Sequence, residues 1–226
     1  MNEASIFTLE KSRKNKFDIS EYPSDLYVDT SAWTALIAGS SNSTSRENRL
    51  MRDFVGECLG KGGSLYSSGV VLEELSHIIR KEILDKEVQK IELKKIPRYS
   101  DGSTNEKRLS KIIKEHNPHI VEDITEQIHM AKQFVKNNSI FLEYTENQEM
   151  SEQMDELIKN TDYVLGTRDA KHVLVAHQYG INSFLTKDSD FTSLDNANIY
   201  VSANEKYSLL KIGRSNVFLP FDEKKY

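Results

Sequence analysis

The sequence predicts an α/β fold in which a mostly parallel, five-stranded sheet is covered by helices, and three observations carry that prediction. Short apolar runs that stop at polar or turn residues recur along the chain, stretches of helical periodicity separate them, and acidic residues stand where several of the runs end. Strands that alternate with helices imply right-handed crossovers, and such crossovers make the joined strands parallel.

In chain order the strands are Leu26 to Val28, Ser64 to Ser67, Ile140 to Leu142, Ser183 to Thr186 and Ile199 to Val201. Each is too short for a helix and is bounded by turn-forming residues. Gly60, Lys61, Gly62 and Gly63 read as the turn into the second. Among the helices, Val71, Leu72, Leu75, Ile78, Ile79 and Ile83 form one apolar stripe, and Val121, Ile124, Ile128, Ala131, Phe134 and Val135 form another. Ala170, Val173, Leu174 and His177 form a third, which Thr167 opens as a cap and Gly180 closes.

From Ile79 to Ser139 no strand pattern occurs. Helical patterns fill that span around Ile83 to Ile91, around Leu109 to Ile113 after the capping pair Ser103 and Glu106, and around Val121 to Val135, with Pro97 to Thr104 as a loop. The expected organisation is therefore an amino-terminal extension over 1–24 and an α/β domain over 25–226 that carries a helical insertion at about 80–138. A chain of 226 residues is long for one domain and short for two, which suits that division.

Composition narrows the function classes. At 38% apolar residues the chain can build a packed core. Cys58 is the only cysteine, which excludes an intrachain disulfide and a multi-thiolate zinc site. No signal-peptide segment and no run of 18 apolar residues occurs, so a soluble, cytoplasmic protein without a membrane partner is expected. A net charge of -5 disfavours indiscriminate phosphate binding, yet basic residues crowd Arg80 to Lys114 and include Lys94, Lys95 and Arg98. That stretch is the expected grip for an anionic strand or a partner protein. A solvated helix face is the plainer reading of any such run.

The candidate chemistry lies at the strand ends, where open parallel sheets hold their ligands. Leu26, Tyr27 and Val28 run directly into Asp29, and Phe184, Leu185 and Thr186 run through Lys187 to Asp188. On the helix after the second strand, the apolar stripe centres near Leu75, which puts Glu74 at its edge and Glu73 in solvent. Asp169 stands in the first turn of the third helix, near its positive dipole end. Each acid has a bland reading as a cap or loop anchor. Four of them on one sheet edge would repel by roughly 3 kcal/mol per pair at about 5 Å and an effective dielectric near 20, and a hard cation such as Mg2+ or Mn2+ relieves that.

These residues resemble a known family. Tyr27-Val28-Asp29-Thr30-Ser31-Ala32, Val70-Val71-Leu72-Glu73-Glu74-Leu75, Asp169-Ala170-Lys171-His172-Val173 and Phe184-Leu185-Thr186-Lys187-Asp188-Ser189-Asp190-Phe191 are similar to the four motifs of PIN-domain ribonucleases, over about Asp25 to Val201. The resemblance implies a three-layer α/β/α sandwich that cuts RNA with one or two Mg2+ or Mn2+ ions, as the VapC toxins do. It implies direct metal binding by Asp29 and Asp169, metal binding or water orientation by Glu74, and a second metal or its water shell at Asp188. Asp190 is an alternative or additional ligand, and Thr30, Ser31 and Thr186 support the site or touch substrate. A protein inhibitor or antitoxin and a homo-oligomer are the partners it implies besides RNA. The length, the extension and the helical span depart from the compact toxins.

Three other readings compete. A phosphoryl-transfer α/β domain also places acids at strand ends, but Ser31 stands where it needs a second aspartate. A catalytically inactive PIN-fold module that binds RNA or protein would not need four acids, and a flap-type DNA nuclease usually carries more. His77, His172 and His177 read as structural or surface residues, since none shows a metal-ligand spacing. Trp33 reads as a core anchor.

Overall fold

A computed structural model of the chain describes residues 4–9, 22–38, 45–91, 106–201 and 217–218. The strands are β1 (Ser5–Thr8), β2 (Asp25–Val28), β3 (Ser64–Ser68), β4 (Ile140–Leu142), β5 (Ser183–Leu185), β6 (Asn198–Val201) and β7 (Val217–Phe218). They form one seven-stranded sheet in the order β4-β3-β2-β5-β6-β1-β7, with every neighbouring pair parallel. The expected α/β architecture holds, and the expected count of five strands is corrected to seven among the described residues. β1 arises within the segment read as an extension, where Ile6 and Thr8 turn inward and the chain pairs with β6 on one side and β7 on the other.

The chain divides into two compact units, Met1–Leu72 with Val135–Tyr226, and Glu73–Phe134. The first holds the sheet and the helices α1 (Thr30–Ala38), α2 (Arg46–Gly60), α6 (Gln148–Asn160) and α7 (Thr167–Gln178). It also holds the first turn of α3 (Gly69–Lys90) and the end of α5 (Ile120–Asn138). Local chemistry sets the starts of these helices. The side chains of Ser45 and Asn147 accept from Asn48 N (3.2 Å) and Met150 N (2.8 Å), which satisfies amides that α2 and α6 would otherwise leave unpaired. α7 is capped by Gly166 without a side-chain bond, so Thr167 is its first residue and not the expected cap. Gly180 follows α7 at φ 73°, the left-handed turn that ends a helix most cheaply with glycine.

The core of this unit gathers Tyr27, Trp33, Phe54, Phe184 and Phe191, all buried. Cys58 belongs to it too: burial pushes its thiol up to about 12, so it packs as an apolar residue. Phe184 meets the rings of Tyr27, His177 and Phe191 at centroid distances of 5.9, 5.9 and 5.8 Å. Phe184→Ala is expected to cost about 3 to 5 kcal/mol through lost burial and the cavity left behind. A thermal melt checks this, and an unchanged midpoint would mean that the ring cluster contributes little.

The second unit contains most of α3, α4 (Glu106–His116) and most of α5, with a small core of its own around Ile91, Ile113 and Ile120. Along α5 the buried or half-buried face runs through Ile120, Ile124, Ile128, Ala131 and Val135, whereas Val121 and Phe134 are exposed. The expected stripe is thus rotated, because Ile120 replaces Val121 as its first inward residue. Pro97, Ser103, Thr104, Lys94, Lys95 and Arg98 lie outside the described residues. Among the described residues no helix is long and apolar enough to cross a membrane.

Candidate active site

Asp29 and Thr186 emerge side by side. Tyr27 pairs with Phe184 and Val28 with Leu185, so β2 and β5 end in step, and Asp29 N then donates to Leu185 O at 3.0 Å. From β2 the sheet continues through β3 and β4 on one side and through β5 and β6 on the other. The boundary between β2 and β5 is therefore the topological switch point, the place at whose carboxyl strand ends open parallel sheets hold their ligands.

The Asp29 carboxylate, 5% exposed, is held by four donors. Oδ1 accepts from Thr30 N at 2.6 Å, and Oδ2 accepts from Ser31 N (3.3 Å), Ser31 Oγ (2.6 Å) and Thr186 Oγ1 (2.9 Å). The contacts to the two amides are those of a helix cap at the start of α1, consistent with Trp33 N donating to Asp29 O at 2.9 Å. A cap does not require Thr186, which reaches across from β5. Its hydroxyl also accepts from Asp188 N at 2.9 Å, while Ser31 Oγ accepts from Lys187 N at 2.8 Å. Two buried or half-buried hydroxyls thereby tie the loop after β5 to the turn after β2.

His172, fully buried on α7, comes to the same place. Its Nδ1 is 2.8 Å from Tyr27 Oη, which is 2.7 Å from Ser68 Oγ at the end of β3. On the other side of the ring, Nε2 lies 3.6 Å from Asp29 Oδ1 and 3.5 Å from Thr30 Oγ1. Of the two roles expected for this histidine, structural or surface, its burial excludes the surface one, and its approach to Asp29 was not expected. The signal available was its i+3 spacing from Asp169, which puts both side chains on one helix face.

The remaining acids occupy distinct surroundings. Asp169 is half-buried in the first turn of α7 and folds back toward the helix start, where a Cβ on Gly166 would stand 3.0 Å from its Oδ2. Asp188 caps the 3-10 turn Ser189–Ser193, with its Oδ1 accepting from Asp190 N at 2.9 Å. Asp190 is half-buried, and burial, followed by the neighbouring Asp188 charge, raises its carboxyl above the usual range. Lys187 points away to Glu47 on α2 at 3.4 Å. Glu74 stands one turn into α3, in the second unit, and is half-buried where Glu73 is exposed. The Asp29 carboxylate with the His172 imidazole nearby is a donor pair whose chemistry fits a divalent cation.

The PIN domain family model matches residues 26–197 of the chain. No curated protein and no solved structure matches it.

Proposed function

The chain belongs to the PIN-domain family, and from that premise we propose that it is a metal-dependent endoribonuclease. The observation that supports this most is a buried aspartate, Asp29, at the switch point of a parallel sheet, held there by hydroxyls from two strand ends. A Mg2+ or Mn2+ ion supplies an activated water and offsets the charge that builds on the phosphate. In this proposal Asp29 and Asp169 hold the ion, and Glu74 binds it or orients the attacking water. Asp188, with Asp190 beside it, binds a second ion or its water shell. Ser31 and Thr186 fix the Asp29 carboxylate so that it needs no rearrangement when the ion arrives, and Thr30, whose amide donates to Asp29, supports the site or touches substrate. The unit Glu73–Phe134 is read as an insertion within the family's domain. Assignment to a VapC-like group, with a protein inhibitor as partner, rests on the motif resemblance alone.

Purified protein is expected to cut single-stranded RNA internally only when Mg2+ or Mn2+ is present, to fall to background in excess EDTA, and to recover when either ion is restored. Full cleavage in excess chelator would refute the proposal.

A further inference from the structure

We propose that His172 is a direct metal ligand beside Asp29, through Nε2, and that the site therefore prefers Mn2+ or another transition ion to Mg2+. This rests on the nuclease reading above, since it presumes that an ion binds at Asp29.

Three observations carry it. The first is spacing: Nε2 and Asp29 Oδ1 are 3.6 Å apart, outside hydrogen-bond range. Two donor atoms that bind one ion at about 2.0 to 2.2 Å stand roughly 3 to 4 Å from each other, so this separation suits a shared ion better than a direct bond. The second is orientation. Ligating histidines are characteristically held by a hydrogen bond at the other ring nitrogen, and His172 has one in Nδ1 to Tyr27 Oη (2.8 Å), backed by Ser68 Oγ (2.7 Å). With Nδ1–H donating to the tyrosine oxygen and the tyrosine hydrogen given to Ser68, Nε2 presents its lone pair toward Asp29. The third is burial. Tyr27, Ser68 and His172 are all fully buried, so the ring is locked in place before any ion arrives.

The consequence is one of selectivity. Carboxylate and water suit Mg2+ and Mn2+ alike, whereas an imidazole nitrogen adds affinity for transition ions and little for Mg2+. Thr30 Oγ1, 3.5 Å from Nε2, makes the competing account concrete: a hydrogen-bonded histidine that only braces the turn after β2.

Electron spin-echo spectroscopy of Mn2+ bound to the full chain separates the two. The expected spectrum of the wild type carries the coupling of a directly bound imidazole 14N, which changes to the 15N pattern when the protein is made with 15N-labelled histidine. His172→Gln is expected to abolish the coupling, weaken Mn2+ at least tenfold and narrow the preference for Mn2+ over Mg2+. Mn2+ bound to the wild type without nitrogen coupling would overturn this proposal and leave a carboxylate-only site in place. Coupling that survives in His172→Gln would assign the nitrogen elsewhere and equally overturn it. No binding of Mn2+ by the wild type at all would overturn the nuclease reading together with it. The labelled wild type decides the matter even where the variant folds poorly.

Discussion

Asp29→Asn is expected to lower RNA cleavage by at least ~1000-fold, about 4 kcal/mol of barrier, while the protein still folds. The variant is nearly isosteric, so β2, β5 and the hydroxyl bridges between their ends should persist. Charge alone would predict a fold equally stable or slightly more so, because like-charge repulsion is removed. The four donors around Asp29 reverse that sign. An asparagine keeps one oxygen and turns an NH2 group toward the other donors. The hydroxyls of Ser31 and Thr186 can rotate to accept from it, whereas the backbone amide it faces, that of Thr30 or of Ser31, cannot. A loss of about 1 to 3 kcal/mol follows, which lowers the melting midpoint by roughly 2 to 12 °C. Cleavage should therefore be compared well below both midpoints, together with Mn2+ affinity. Turnover within tenfold of wild type would remove Asp29 from the chemistry and leave it as the cap of α1.

The second large effect separates two chemically identical neighbours. Glu74→Gln is expected to reduce turnover ~100-fold or more, close to 2.7 kcal/mol, while Glu73→Gln stays within a few-fold. Successive residues on a helix point about 100° apart, and on α3 this leaves Glu73 exposed and Glu74 half-buried. Glutamine keeps the size and most of the hydrogen bonding of glutamate but loses the charge that a cation requires. The pair therefore controls for helix stability, since both substitutions replace glutamate on the same turn. Comparable losses in both variants, measured at saturating RNA and Mn2+, would show that the charge of this turn matters and not the direction of one side chain.

How far the sequence could be read depended on how local the determinants were. The five strands found from it are those whose apolar runs are bounded by turns or lead into helices, so composition over a few residues suffices. β1 and β7 escaped for a different reason. β1 is four residues long and β7 two, and what makes them strands is pairing between distant parts of the chain, β1 with β6 and β7 with β1. Asp29 was legible because a strand runs straight into it. Its environment was not: Thr186 and Ser31 were expected as supporting groups only through the family resemblance, and the direction of their hydroxyls is a tertiary fact. The nearness of His172 to Asp29 was not legible either. Apolar neighbours on α7 make it resemble a core histidine, and only the return of β2 alongside that helix brings Tyr27 and Asp29 against opposite nitrogens of its ring. The cap of α7 was misplaced by one residue, because glycine offers no side-chain signal at a position that threonine next to it can imitate.

The bridge from Thr186 to Asp29 joins residues 157 positions apart, and this has a consequence for how the protein comes into being. Contacts so remote in sequence form late, because the intervening chain must be made and its ends brought together before any of their energy is gained. On the ribosome, where chains grow from the amino terminus, Asp29 emerges early and has neither Thr186 nor His172 to hold it. The carboxylate then belongs to a lone strand and turn. Only after residues beyond β5 have left the exit tunnel can β5 dock against β2 and complete the constellation. A nascent chain therefore lacks the assembled surroundings of Asp29 for most of its synthesis and gains them only when the chain is nearly finished.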